Sequence, residues 1–388
     1  MIQAVLTNIP FSIMATGALV GIAATLVGTF LVLRRSSMLA DAISHSIVFG
    51  IAIVWLLTGL ASGPVQIFGA ALTGVLTVVL IEMLTATRRV KNDAAIGLVF
   101  PALFSAGVLL LNVYARDVHI DAHTVLLGEI GFVWLDTVSL GGIEVPRALV
   151  SMASLTLVNL AFVSILYKEL KLATFDEGLA RSLGFYPGVL FYALLTLTSS
   201  TAVAAFDAVG AILFVAFVIV PPSAAYLLTD RLWRMILYGC AISLISSVGG
   251  YYLAVMWNVS IGGMMALATG AFLLLALTFG PRYGLIAQEL RRRGESSRND
   301  RRALVVHLHN HETAPERDEE STPEALREHL RWNAVRAQRV LRGALARELV
   351  TLDADNIRLT PGGRALAREV LEPWRRPVAA AATTTRRR

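Results

Sequence analysis

Nine stretches of about 20 mostly apolar residues run through the first three quarters of this chain, and a helix needs about that many to cross the hydrocarbon of a bilayer. They fall at roughly 12–33, 38–59, 65–86, 94–114, 147–167, 188–206, 208–228, 235–257 and 262–280. The sixth and seventh nearly fuse, and a break is expected at Asp207. With 55% of its residues hydrophobic, the chain lacks the polar surface that a wholly soluble fold requires. The expected fold is therefore all-α and polytopic, with about nine transmembrane helices.

Charge separates this apolar body from the C-terminal quarter of the chain. Up to Gly284 there are 13 Lys or Arg and 13 Asp or Glu, which cancel. From Leu285 onward there are 21 Arg, no Lys and 15 acids, so the whole formal charge of +6 lies on the tail. Basic residues also orient the spans. Arg34 and Arg35, then Arg88, Arg89 and Lys91, then Lys168, Lys171 and Arg181, then Arg231 and Arg234, and finally Arg282 fall in alternate loops. The opposite loops hold only Arg116 and Arg147. An excess of Lys and Arg marks the cytoplasmic side, which places the N-terminus outside and the tail in the cytoplasm, as expected of a protein of the cytoplasmic (inner) membrane. No Lys or Arg precedes Arg34, so the first stretch is expected to remain as a span rather than be removed as a leader.

The loop 115–146 turns apolar again from His123 to Leu135, which predicts a re-entrant or interfacial helix. The alternation His119-Ile-Asp121-Ala-His123 reads either as an external metal-handling cluster or as a solvated loop. The domain division is expected as 1–284 (membrane domain), 285–299 (charged linker), 300–372 (a small cytoplasmic α+β domain) and 373–388 (a disordered basic end). Within the third segment, helices near 301–311, from Thr322-Pro323, over 333–349 and from Thr360-Pro361 flank short strands at 349–352 and 356–359. That is the winged helix-turn-helix order. Arg336, Arg339 and Arg342 recur on one face of its third helix. Such a row reads as a solvated face or a protein contact, with nucleic-acid phosphate as the alternative.

Two places in the body carry chemistry. Asp41 and His45 are four residues apart, so they project from one face of the second span. Ionisable groups at that depth are costly and usually face a pathway or a partner. A carboxylate with an imidazole suits Mn, Fe or Zn, and the absence of a thiolate argues against Cu(I). The alternative is a helix cap at Asp41 beside a packed His45. The second place is cytoplasmic: Thr174-Phe175-Asp176-Glu177 has the form of a capping box, so a short helix is expected to start at Thr174 and to end near Leu183 and Gly184. It reads equally as a docking element and as an amphipathic connector. Cys240 stands alone in an apolar run and is read as a small buried hydrophobe. A phosphate-binding loop needs Gly-Lys-Ser/Thr. The chain contains no Gly-Lys pair, which removes an ATPase of that kind and leaves the energy to another chain or to an ion gradient.

The run Leu33-Arg-Arg-Ser-Ser-Met-Leu-Ala-Asp41-Ala-Ile-Ser-His45 resembles the membrane subunits of manganese and zinc importers of the ATP-binding-cassette class. So do Arg89–Gly97, Lys168–Gly184, and Ala208–Leu213 with Val220–Ala225, in the same order. The resemblance covers nearly all of residues 10–284. It implies that Asp41 and His45 are the family's metal-coordinating pair. It also implies that Thr174, Phe175, Asp176, Glu177, Leu179, Ala180, Arg181 and Leu183 belong to the helix that couples the permease to a cytoplasmic ATP-binding subunit. The further partners implied are an extracytoplasmic metal-binding protein, a second copy or sister permease, and membrane lipid. No permanently bound cofactor is expected; the metal, manganese with zinc or iron as alternatives, is cargo. Ala40 and Phe49 stand where the family usually has Gly and Pro. From about Asp300 to Leu371 the tail is similar to the DNA-binding domain of the diphtheria-toxin-repressor family, most clearly at Leu359–Ala367, which favours manganese as the cargo. Its turn, Leu330-Arg-Trp-Asn333, departs from that family, so DNA is not the expected partner. The rival readings are an ATP-independent metal carrier and a membrane-tethered, metal-responsive transcription regulator.

Overall fold

A computed structural model describes residues 8–59, 64–114, 130–140, 143–315, 317–353 and 356–375. The chain divides into two units, Met1–Leu285 and Ile286–Arg388.

Among the described residues the first unit holds nine apolar helices, at the nine places the sequence predicts. They are α1 (Ile9–Leu33), α2 (Ser37–Thr58), α3 (Pro64–Ala86), α4 (Asn92–Tyr114), α5 (Arg147–Ile165), α8 (Pro187–Val209), α9 (Ala211–Leu228), α10 (Leu232–Trp257) and α11 (Ile261–Phe279). Eight of them are long and apolar enough to cross a membrane, and the ninth, α3, carries the shorter apolar run Ala71–Ala86. The protein is a multi-pass membrane protein. Two short helices, α6 (Tyr167–Phe175) and α7 (Glu177–Ser182), lie between α5 and α8.

The most buried span is α1, which packs against α5, α8, α9 and α10. Lipid gives helices no hydrophobic reason to associate, so close backbone approach and hydrogen bonds between helices must hold them. Both are present. A Cβ on Gly28 would lie 2.0 Å from the Val218 carbonyl oxygen, so α1 meets α9 backbone to backbone. Thr25 Oγ1 and Ser243 Oγ are 2.8 Å apart between α1 and α10. Asn159 Nδ2 on α5 donates to the Ala23 carbonyl at 3.3 Å and to Thr201 Oγ1 at 2.9 Å, which joins three helices. Outside this core, large apolar side chains such as Phe68, Leu109, Leu157 and Leu274 are exposed, as lipid contact requires.

Three expectations need correction. The break between the sixth and seventh spans falls at Gly210, not at Asp207. Gly210 has φ 81° and ψ 168°, a backbone state open to glycine, whereas Asp207 still belongs to the last turn of α8. The described part of the loop 115–146 is a 3-10 turn (Ile130–Phe132) and a hairpin, β1 (Thr137–Leu140) with β2 (Ile143–Pro146), in which Thr137 pairs with Pro146 and Leu140 with Ile143. The apolar signal at Ile130, Phe132 and Trp134 thus comes from a compact turn, in which Trp134 Nε1 donates to the Gly131 carbonyl at 3.0 Å. The rest of the predicted re-entrant helix lies outside the described residues.

The third correction concerns the charged linker. It is helical throughout, as part of α12 (Leu285–Asn310), the helix that opens the second unit. Arg and Glu are good helix formers, and here charged residues pair one turn apart, Arg293 with Glu289 at 2.7 Å. The second unit continues with α13 (Arg317–Glu320), α14 (Pro323–His329), α15 (Ala334–Leu345), β3 (Val350–Asp353), β4 (Asn356–Leu359) and α16 (Pro361–Arg375). Thr322 and Asn333 cap α14 and α15 with their side chains. Leu304, Val305, Leu308, Trp332, Val340, Ile357 and Leu359 form its core. The β3–β4 ladder is antiparallel, with Val350 opposite Leu359.

Candidate functional site

Two turns of α2 build the site. The helix begins at Ser37, so at 1.5 Å per residue Asp41 and His45 lie about 6 and 12 Å along it. Its N-cap position is Ser36, and Asp41 sits in the second turn, too far in to cap the helix. Asp41 Oδ1 and His45 Nε2 are 3.5 Å apart, and both side chains are half-buried. Phe100 and Phe104 of α4 wall the imidazole, with ring centroids at 5.7 and 6.2 Å.

Small residues let these walls close. A Cβ on Gly107 would lie 2.7 Å from the Phe49 nitrogen, so α4 rests directly on the backbone of α2. Behind the site Thr77 donates to Ser46 Oγ at 2.7 Å, and Ser46 donates to the Ala42 carbonyl at 2.8 Å, which ties α3 to α2. Ser44 donates to the Asp41 carbonyl at 2.6 Å. The carboxylate and imidazole therefore stand on a braced helix, with an apolar wall on one side. Two ligand atoms bound to one first-row divalent ion at about 2.1 Å sit about 3 to 3.5 Å apart. The pair has that separation without rearrangement.

The segment expected to start a helix at Thr174 is built differently. Thr174 and Phe175 complete the last turn of α6, whose Leu170 and Ala173 are buried. The N-cap is Asp176: its backbone is extended and its carboxylate accepts from the Leu179 N–H at 2.9 Å. A carboxylate at that position both bonds the free N–H and meets the positive end of the helix, so it displaces the threonine. Glu177 pairs with Arg181 at 2.7 Å within α7. Leu183 closes α7, and Gly184, at φ 85°, turns the chain as Phe185 N–H bonds back to the Ala180 carbonyl. Ala180 is buried, whereas Phe175, Leu179 and Leu183 are exposed and are joined by Tyr186 just beyond the turn.

His119, Asp121 and His123 lie outside the described residues. Cys240 is mostly buried in α10 with no disulfide partner among the described residues. In the second unit Arg339 and Arg342 are exposed, but Arg336 grips Asp300 with two nitrogens, at 2.6 and 3.1 Å. One group escaped sequence reasoning altogether. His307, His311 and Glu320 come together in the second unit. The signal for it was present, since four of the seven histidines fall between 307 and 329.

Comparison with known proteins agrees with this architecture. Residues 7–280 match the ABC 3 transport family. The manganese transport system membrane protein MntD of Bacillus subtilis is 46% identical over 280 residues, 72% of this chain and 95% of that protein. The zinc transport system membrane protein TroD of Treponema pallidum is 42% identical over 353 residues, 91% of this chain and 96% of its own length. A match of that length runs well into the second unit. Among solved structures, PsaBC from Streptococcus pneumoniae in complex with Fab matches with a TM-score of 0.60 at 28% identity, covering 70% of this chain and 91% of that one.

Proposed function

The chain belongs to the ABC 3 transport family, and on that premise we propose that it is the membrane permease subunit of an ATP-driven importer of manganese, with zinc as the competing cargo. The observation that carries this reading is the Asp41–His45 pair, one oxygen and one nitrogen 3.5 Å apart on a braced span. A hard carboxylate oxygen beside an imidazole suits manganese or zinc. The manganese relative is 46% identical and the zinc relative 42%, which favours manganese by a small margin.

In this reading a binding protein on the outer side of the inner membrane delivers the ion. The ion exchanges its water for Asp41 and His45, and the permease releases it on the cytoplasmic side. ATP is hydrolysed by a partner chain, not by this one. That partner docks around α7, where Leu179 is exposed beside the Glu177–Arg181 pair and exposed Phe175 and Leu183 flank the helix. A second permease copy or a sister chain completes the pathway. The N-terminus lies outside and Ile286–Arg388 in the cytoplasm, as the alternation of basic loops requires.

Vesicles reconstituted with this chain and a co-purified ATP-binding subunit test the proposal. Manganese should accumulate only when ATP and the binding protein are both supplied. Accumulation without ATP would make the chain an independent carrier instead.

A further inference from the structure

The second unit gathers metal-ligating side chains from three helices, none of which the transport reading uses. His307 lies in the last turn of α12, and His311 follows one turn later, where its N–H still bonds the His307 carbonyl at 3.3 Å. Residues four apart share a helix face, and the two rings lie 4.8 Å apart between centroids, tilted 46° to each other. Glu320 ends α13, and His329 ends α14. One ligand atom from each of His307, His311 and Glu320 can be chosen so that all three lie within 4.8 Å of one another. Glu320 Oε2 is 3.5 Å from His307 Nε2 and 3.2 Å from His329 Nδ1.

The two distances from Glu320 are those of a coordination shell. Ligands about 2.1 Å from one tetrahedral ion sit about 3.4 Å apart. Glu320 Oε2 is buried and has no hydrogen-bond partner among the described residues. A buried carboxylate oxygen without a hydrogen bond is costly, and the imidazole nitrogens of His307 and His329 stand within 3.5 Å of this one. A cation shared among them would satisfy the oxygen and the ring nitrogens together. His309, between the two ligating histidines, points elsewhere and contacts Glu312 at 3.4 Å.

We propose that His307, His311, Glu320 and His329 form a binding site for a divalent transition-metal ion in the second unit. Three nitrogens and one oxygen suit zinc-like ions. Manganese stands lowest in the order of affinities for such donors and prefers oxygen. The site would therefore hold a zinc-class ion in preference to manganese, and it would cross-brace α12, α13 and α14.

The test uses the full-length protein in detergent, carrying Asp41→Ala and His45→Ala, with His119→Ala and His123→Ala, to remove the other candidate sites. Titration with zinc ion alone should show one bound equivalent, and cobalt(II) should give the visible bands of a four-coordinate site. Adding His311→Asn and Glu320→Gln should weaken zinc binding at least about tenfold and abolish the cobalt bands. The metal-free melting temperature should not fall, since Gln keeps the shape of Glu320 while removing its buried charge, and Asn leaves a polar group at the partly exposed His311. Equal zinc binding with and without the two added substitutions would overturn the proposal. So would the absence of zinc binding before they are added.

Discussion

The two units of this protein solve opposite packing problems. In the membrane unit the helices are apolar on every side, and beside buried Phe30, Phe214 and Phe217 the interior holds small and polar residues, Gly28, Thr25, Ser46, Thr77, Asn159 and Ser243. In the second unit the helices α15 and α16 are apolar on one face only, and a conventional core of Leu, Val, Ile and Trp is covered by arginine and glutamate. Water drives the second arrangement by expelling apolar surface. Lipid offers no such drive, so the first relies on backbone proximity and interhelical hydrogen bonds. In the membrane unit, therefore, the informative residues are the exceptions to hydrophobicity.

The largest effect should come from filling a backbone contact in the membrane unit. In Gly28→Val the Cβ would collide with the Val218 carbonyl, and no flexible side chain can yield there. We expect no stable membrane protein, read as loss of a monodisperse peak after detergent extraction. Recovery at wild-type yield would show that α1 and α9 do not meet as described. Next in size is the loss of coupling. Reversing the charges of Asp176 and Glu177 together with Leu179→Asp should leave insertion intact but abolish metal-stimulated ATP hydrolysis in the reconstituted complex. Unchanged hydrolysis would exclude α7 as the docking element.

The same contrast explains what could be read beforehand. Nine apolar helices were legible because length and apolarity alone define them, and eight of these are long and apolar enough to be spans. Their inward faces were not, since helices that are apolar all round carry no periodic signal. Asp41 and His45 were visible as two exceptions on one face. Their neighbours Phe100, Phe104 and Gly107 were not, because nothing distinguishes such residues from lipid-facing ones until α4 is placed on α2. In the second unit the caps at Thr322 and Asn333 and the β3–β4 pairing could be expected from turn and capping chemistry. The N-cap at Asp176 was missed because Thr174 and Asp176 each satisfy a capping pattern, and burial of Leu170 and Ala173 extends α6 past the threonine. The histidine site was missed because its ligands are local only in part: His307 and His311 are neighbours at the end of α12, but Glu320 and His329 arrive through folding.

Smaller effects should come from changes to the second unit. The manganese relative is matched over 95% of its length by 280 residues of this chain, which leaves it little length for such a unit. A chain ending at Gly284 should therefore keep most of its ATP-driven uptake at matched membrane level. Loss of uptake would make the second unit part of the transport machinery. Smaller still is the expected interaction with DNA. Arg339 and Arg342 are exposed, but Arg336 is held by Asp300. The full-length protein should bind DNA weakly, without sequence preference and with steep loss on adding salt. A preferred sequence that survives competition by random DNA would restore the reading as a tethered regulator.

Metal uptake by Asp41→Asn, set beside His45→Ala, tests the central claim most directly. Asparagine keeps the size of the side chain and would serve equally in a capping role, but it removes the anionic oxygen. If Asp41 and His45 hold the ion during passage, both variants should insert normally and lose uptake at least about tenfold, as removal of groups that hold a metal does. Near-normal uptake by both, at matched protein level, would contradict the assignment of the pathway to this pair.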